Sequence, residues 1–257
     1  NRDRVVFSQD ANQRNRYLSP PKLNQWSFSL YDEHNRPVVT GLVNDAMRRD
    51  IIEMQGIVES FNANAQNTQV EVYTGSTETI TAYNPVVGSF TGSQFLNFIA
   101  NSVSYYDEYN PSCIPFISFT NNDFTPTINQ YVEQPVKSLR TRGMVTGSKI
   151  RVLDEYYDDG QIANDKFLKA FFYIDERGRT IQTHAENIFG GVDAVSLQYD
   201  FAGKVLCTRG KHNNNMPGNP FNELFVVTKT DYDLMGRAKR LWKLYTKNSA
   251  DISTFPG

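Results

Sequence analysis

Apolar and polar positions alternate over long parts of this chain, and alternation is the mark of a strand with one buried face. "RVVFSQD" is short and apolar, "NQWSFSLYD" puts Trp26, Phe28 and Leu30 on one face, and "RPVVTGLV" returns as a second strand. The period then changes. In "NDAMRRDIIEMQGIVESF", Met47, Ile51, Met54 and Ile57 recur at helical spacing behind a cap at Asn44 or Asp45. This predicts a short helix over about residues 45–58, with Gly56 weakening its end. "TQVEVYTG" alternates again and "TETITAYNPVVG" follows it. Residues 94–106 fit either a helix or a strand, with Val103 and Tyr105 favouring a strand at the end. Residues 107–140, rich in Pro and Asn, read as a long loop excursion with short strands. At "GMVTGSKIRVLD" the strand pattern restarts and runs to the end. The chain therefore divides into N-terminal strands (1–43), a non-repeat insertion (44–139) and a hairpin region (140–257), expected to form one continuous structural unit. It begins without Met and stops at "STFPG", and so reads as a piece of a longer polypeptide.

A corner recurs among these strands. "LYDEHNRPVVT" carries Tyr31, Asp32, Asn35 and Arg36; "YIDERGRTIQT" carries Ile174, Asp175, Gly178 and Arg179. "QYDFAGKVLCT" carries Tyr199, Asp200, Gly203 and Lys204; "DYDLMGRAKRL" carries Tyr232, Asp233, Gly236 and Arg237. In each, an Asp is followed three residues later by Gly or Asn, and then by a basic residue. An Asp opening a type I turn accepts bonds from backbone N–H groups two and three residues on. The residue three after it takes a positive φ, which Gly accepts freely and Asn tolerates. Such a turn reverses a strand with a bulge. The Tyr or Ile before the Asp ends the incoming strand on a buried face, and the stem of the basic residue can cover an aromatic ring. A single hairpin cannot bury its apolar face alone, whereas stacked hairpins share a core that each unit extends. The expected fold is mainly β: stacked antiparallel β-hairpins with one short helical insertion. A closed barrel and an open twisted sheet both remain compatible with it.

"FFYIDERGRTIQT", "LQYDFAGKVLCT" and "KTDYDLMGRAKRLWK" resemble the YD repeats of bacterial Rhs-type proteins. "QWSFSLYDEHNRPVVTG" looks like a degenerate first copy. "RTRGMVTGSKIRVLD" and "ENIFGGVD" are similar to segments lying between such repeats. The resemblance covers about residues 24–43 and 140–245. It implies a twisted sheet or partial shell of stacked hairpins, exported or at the cell surface, serving as scaffold or shell wall. The implied partners are flanking segments of the parent chain and an enclosed C-terminal effector. The chain departs from the pattern in the irregular spacing of its copies and in the insertion that interrupts them.

Composition narrows the alternatives. Lys and Arg number 26 against 28 Asp and Glu, a net charge of -2, and no basic run exceeds Arg48–Arg49. No nucleic-acid partner is therefore expected. No apolar run reaches the roughly 18 residues of a membrane span. Cys113 and Cys207 are too few and too far apart for a disulfide framework, and Cys207, in an apolar strand slot, reads as a buried free thiol. Asp154, Asp158 and Asp159 in "LDEYYDDG" bunch carboxylates, but Gly160 is misplaced for an EF-hand, so a solvated turn is expected rather than a Ca²⁺ site. The histidines His34, His184 and His212 lack paired metal-ligand spacing. The repeat aspartates precede turns, which makes them structural rather than catalytic. Neither metal nor cofactor is expected, and no enzyme; a hydrolase using the 154–159 carboxylates ranks last. The main alternative is a binding module in which Tyr105, Tyr106, Tyr109 and Phe116 form an exposed aromatic platform for a glycan or protein.

Overall fold

The protein is described by a computed structural model covering residues 5–14, 24–32, 34–64, 69–73, 79–83, 95–109, 118–120, 132–152, 167–218 and 223–255. Phe116, Cys113 and the carboxylates of 154–160 lie outside the described residues. The fold is mainly β. The strands are β1 (Phe7–Ser8), β2 (Asn24–Tyr31), β3 (Pro37–Asp45), β4 (Gln69–Tyr73), β5 (Thr79–Tyr83), β6 (Phe95–Tyr106) and β7 (Val145–Arg151). They continue as β8 (Phe167–Ile174), β9 (Thr180–Glu186), β10 (Val192–Tyr199), β11 (Val205–Asn213), β12 (Glu223–Tyr232) and β13 (Ala238–Thr246). Eleven of them form one antiparallel sheet, ordered β1-β2-β3-β6-β7-β8-β9-β10-β11-β12-β13. Its end strands are not paired to each other among the described residues, so it is an open sheet and not a barrel. β4 and β5 pair separately.

The chain forms two compact units. The first comprises residues 1–104 and 149–167. Its core is the face set by alternation in β2: Trp26, Phe28 and Leu30 are buried, with Val39 and Val43 from β3 and Val103 of β6. At Gly41 the backbone of β6 comes so close that an added Cβ would lie 2.0 Å from the Ile99 carbonyl oxygen and 2.6 Å from the Phe28 ring. A short helix α1 (Ala11–Arg14) precedes β2.

The longer helix α2 runs over Ile51–Asn64, not over 45–58. Asn44 and Asp45 stay in β3, where both are buried, and Asn44 Oδ1 accepts a bond from Gln25 Nε2 at 3.3 Å. The true cap is Asp50: its Oδ1 accepts from Glu53 N at 2.8 Å, while Glu53 Oε2 accepts from Asp50 N at 3.0 Å. This reciprocal pair is a capping box. Of the four residues expected on the apolar face, Met54 is buried, Ile57 is half-buried, and Met47 and Ile51 are exposed.

The second unit comprises residues 105–148 and 168–257. Within it β8 to β13 form a meander in which each strand pairs with its sequence neighbour. Phe171 and Tyr173 of β8, Ile181 of β9 and Val227 of β12 are among its most buried side chains. At its C-terminal end a 3₁₀ turn (Ser249–Thr254), capped by Asn248, presses Ile252 onto Cys207, Phe225 and Val227. Lys229, opposite Cys207 in the ladder, donates to the Phe255 carbonyl at 2.6 Å.

Candidate functional site

The four sequence-repeated corners make one set of bonds. The N–H of Asp32, Asp175, Asp200 and Asp233 donates to the carbonyl four residues on, each at 2.9 Å, closing the hairpin. The N–H of Asn35, Gly178, Gly203 and Gly236 returns to the Asp carbonyl. Asp Oδ1 accepts from the N–H four residues on in all four turns, and from the N–H two residues on at Asp32, Asp175 and Asp233. The side chain therefore serves the second and fourth N–H groups, while the third goes to the backbone carbonyl. Residue three of each turn has positive φ: 67° at Asn35, 75° at Gly178, 84° at Gly203 and 79° at Gly236. One residue of each outgoing strand is left unopposed (Val38, Ile181, Leu206 and Lys239), which is the expected bulge.

Two further copies were not legible as repeats. Asn187 N donates to Gly191 O at 3.0 Å, Gly190 N to Asn187 O at 3.1 Å, and Asn187 Oδ1 accepts from Phe189 N and Gly191 N. "ENIFGGVD" is thus the same turn with Asn for Asp and Gly for the base. Asp45 likewise accepts from Met47 N and Arg49 N, with Arg48 at φ 55° in the glycine position. It ends β3 and leads into α2 rather than into a strand.

The basic residue has two jobs. In three turns its Nε reaches the second Asp oxygen: Arg36 to Asp32 at 2.6 Å, Arg179 to Asp175 at 2.6 Å and Arg237 to Asp233 at 2.8 Å. In the Asp175 and Asp200 turns it also lies over the ring of the next turn. Arg179 sits 4.6 Å from the Tyr199 ring centre, and Lys204 sits 5.4 Å from that of Tyr232. The same tyrosines reach back: Tyr199 Oη donates to Thr180 O at 2.7 Å, and Tyr232 Oη to Val205 O at 3.1 Å. Each acceptor follows the basic residue of the preceding turn. The turns at Asp175, Asp200 and Asp233 join alternate strand pairs of the meander, so they share one end of it and are stitched together along that end.

Residues 132–140 run along part of this edge as a strap. Ser138 N donates to Ile174 O at 2.8 Å, and Glu133 N to Tyr199 O at 2.9 Å, the carbonyls just before two successive turn aspartates. The Glu133 carboxylate bridges Arg177 at 2.9 Å and Arg179 at 2.7 Å. Burial pulls against the charge on Arg179, and its bonds to Glu133 and Asp175 outweigh that, holding the guanidinium above its usual pKa. A shallow cleft of about 520 Å³ lies here, lined by Pro135, Val136, Glu176 and Ile181 beside the paired charges.

The three described tyrosines of the expected aromatic platform are not exposed together, and Phe116 lies outside the described residues. Tyr105 is buried, and Tyr106 and Tyr109 are half-buried. The Tyr109 ring packs 5.1 Å from that of Tyr173, and its hydroxyl accepts from Ile174 N at 3.2 Å, which turns it inward. Desolvation raises the pKa of Tyr109 and pushes that of Tyr173 up to about 12. The histidines are apart in role: His34 is inside a turn, buried His184 bonds Gln182 at 2.8 Å, and His212 bonds Asp193 at 2.7 Å. Among the described residues no three His, Cys, Asp or Glu side chains gather as a metal site requires. Cys207 is buried as expected, and desolvation pushes its thiol up to about 11. No described helix is long and apolar enough to cross a membrane.

Sequence reading missed Glu133, Ser138 and Asn187. Asn187 had a usable signal, the three-residue spacing to Gly190; the strap residues had none, because their partners lie far away in sequence. No family model matches this chain, and no curated protein matches it either.

Proposed function

We propose that this chain is a non-enzymatic wall or scaffold segment of a large exported polypeptide of the Rhs/YD-repeat kind. The observation that carries this reading is the bonding from turn to turn across the Asp175, Asp200 and Asp233 corners, in which Arg179, Lys204, Tyr199 and Tyr232 are each used on the neighbouring hairpin. Such links extend a sheet and stiffen its edge. They also occupy the residues that would otherwise be read as catalytic carboxylates, since the turn aspartates are bonded to backbone N–H groups. The parent chain would supply neighbouring hairpins and, in the shell arrangement, a C-terminal effector inside. Limited proteolysis with small-angle scattering on the uncut parent polypeptide tests this. A compact, hollow particle that shields its C-terminal segment supports a wall; an extended particle clipped throughout this region contradicts it.

A further inference from the structure

We propose that the groove between the Asp200 and Asp233 turns is a docking site for an extended acidic peptide segment, held as the strap is held one turn earlier. The strap shows what the earlier groove takes. Between the Asp175 and Asp200 turns, the carbonyl of Tyr199 accepts a backbone N–H from Glu133, and the carboxylate of that residue neutralises the basic residue of the preceding turn, Arg179. The groove between the Asp200 and Asp233 turns repeats the tyrosine carbonyl and the basic residue after the glycine, with Ala202 where Arg177 stands in the earlier turn. Tyr232 corresponds to Tyr199 and Lys204 to Arg179, with the same ring stacking and the same hydroxyl bond. Its acidic bridge is absent among the described residues.

Charge sets the chemistry of the occupant. Lys204 is half-buried over the Tyr232 ring and pairs with no carboxylate among the described residues. Asp200 accepts the N–H of Lys204 rather than its ammonium. Asp233 feels Lys204 only as the last of the effects that lower its pKa; its oxygens are taken by Met235 N, Arg237 N and Arg237 Nε. A half-buried cation with no direct counter-ion favours an incoming carboxylate. Apolar side chains of the Asp233 turn flank the place: Met235 is 80% exposed and Leu234 is fully exposed, while the Phe201 ring of the Asp200 turn lies 4.6 Å from the Arg177 guanidinium of the turn before. These are the middle residues of the two turns, where the Asp175 turn has Glu176 and Arg177. The occupant is therefore an extended segment with one carboxylate for Lys204, a backbone N–H for Tyr232 O and apolar neighbours. Two bonds and a small contact predict weak binding, on the order of millimolar for an isolated short peptide.

The chain supplies its own probe. An acetylated, amidated peptide copying Tyr131–Val136 (YVEQPV) carries the Glu133 carboxylate in its native setting. It is titrated into the whole chain and followed by amide NMR. The expected result is saturable shifts at Gly203, Lys204 and Gly236, weakened about fivefold or more by E133Q in the peptide and abolished by Lys204→Glu in the protein. Lys204→Gln, which removes the charge without adding one, should weaken binding in the same direction, and both variants are checked for an unchanged unfolding midpoint. The proposal is overturned by the lack of a saturable shift at millimolar peptide, by shifts confined to Gly178 and Arg179, or by binding indifferent to Lys204→Glu. Self-association without peptide that Lys204→Glu removes would also overturn it, by placing a second copy in the groove.

Discussion

The turns at Asp175 and Asp233 make the same backbone bonds in opposite surroundings. Each closes its hairpin at 2.9 Å, holds a glycine at positive φ and ties an arginine to its aspartate. Around Asp175, however, the side chains are 10% and 20% exposed for Asp and Arg; around Asp233 they are 27% and 78%. Strap residues cover the first turn, and no described residue covers the second in that way. The five-residue pattern therefore fixes the shape of the corner locally. How much each corner stabilises the fold is set by what lies over it, because hydrogen bonds and ion pairs count for more when water is excluded.

That contrast can be broken most sharply at the aspartates. Asp175→Ala strands two backbone N–H groups and the Arg179 Nε, leaving that guanidinium only Glu133 as a carboxylate partner, and should cost about 2–3 kcal/mol in urea unfolding. Asp233→Ala removes bonds that water can replace, and should lower the urea midpoint far less than Asp175→Ala does. Equal losses at the two sites would mean that coverage is irrelevant. Next in size is Gly203→Val. Nothing lies within 4 Å of a Cβ added there, so the loss reports only the φ of 84°, on the order of 1–2 kcal/mol. An unchanged thermal midpoint would remove the backbone argument.

Two predictions concern pH. Cys207 titrates at about 11, above its unfolded value of roughly 8.5, so its neutral form favours the folded state. Its contribution is complete below pH ~8.5 and is lost as pH rises toward 11. With Cys113 replaced by Ser, thiol-reactive dye at pH 8 should label the native chain slowly and the urea-unfolded chain at once; fast labelling of that native variant would contradict the burial of Cys207. Asp233 has the opposite sign. Hydrogen bonds from Arg237 N and the Arg237 guanidinium lower its pKa, so its contribution is present above about pH 4 and is lost below it. NMR titration of its carboxyl checks the direction. The smallest effect is a gain: Lys204→Arg gives the Asp200 turn the guanidinium bond that the others have, and should stabilise by about 0.3–1 kcal/mol.

The corners were legible because their information is local. Asp, a residue free to take positive φ, and the bonds between them all fall within five positions, and the alternating Trp26, Phe28 and Leu30 face was legible for the same reason. Asn187 and Asp45 escaped because the pattern was drawn too tightly: Asn accepts the same N–H bonds, and Arg48 takes the left-handed conformation that Gly was expected to hold. The start of α2 was misplaced because burial kept Asn44 and Asp45 in β3, and the Asp50–Glu53 box lay one turn further on. The strap was invisible because Glu133 meets Arg177 and Arg179 only in the folded chain. Tyr105 and Tyr109 looked like a surface in sequence, but Tyr173, far along the chain, supplies the ring against which Tyr109 turns inward.

The central claim is that the turns of the second unit form one linked edge rather than separate corners. Amide exchange at Gly178 and Gly203, compared between the native chain and Tyr199→Phe, tests it most directly. The substitution removes only the hydroxyl that reaches back to Thr180 O. A bond of about 1 kcal/mol shared between turns predicts roughly fivefold faster exchange at both glycines. Faster exchange at Gly203 alone, or at neither, would mean that each corner stands by itself.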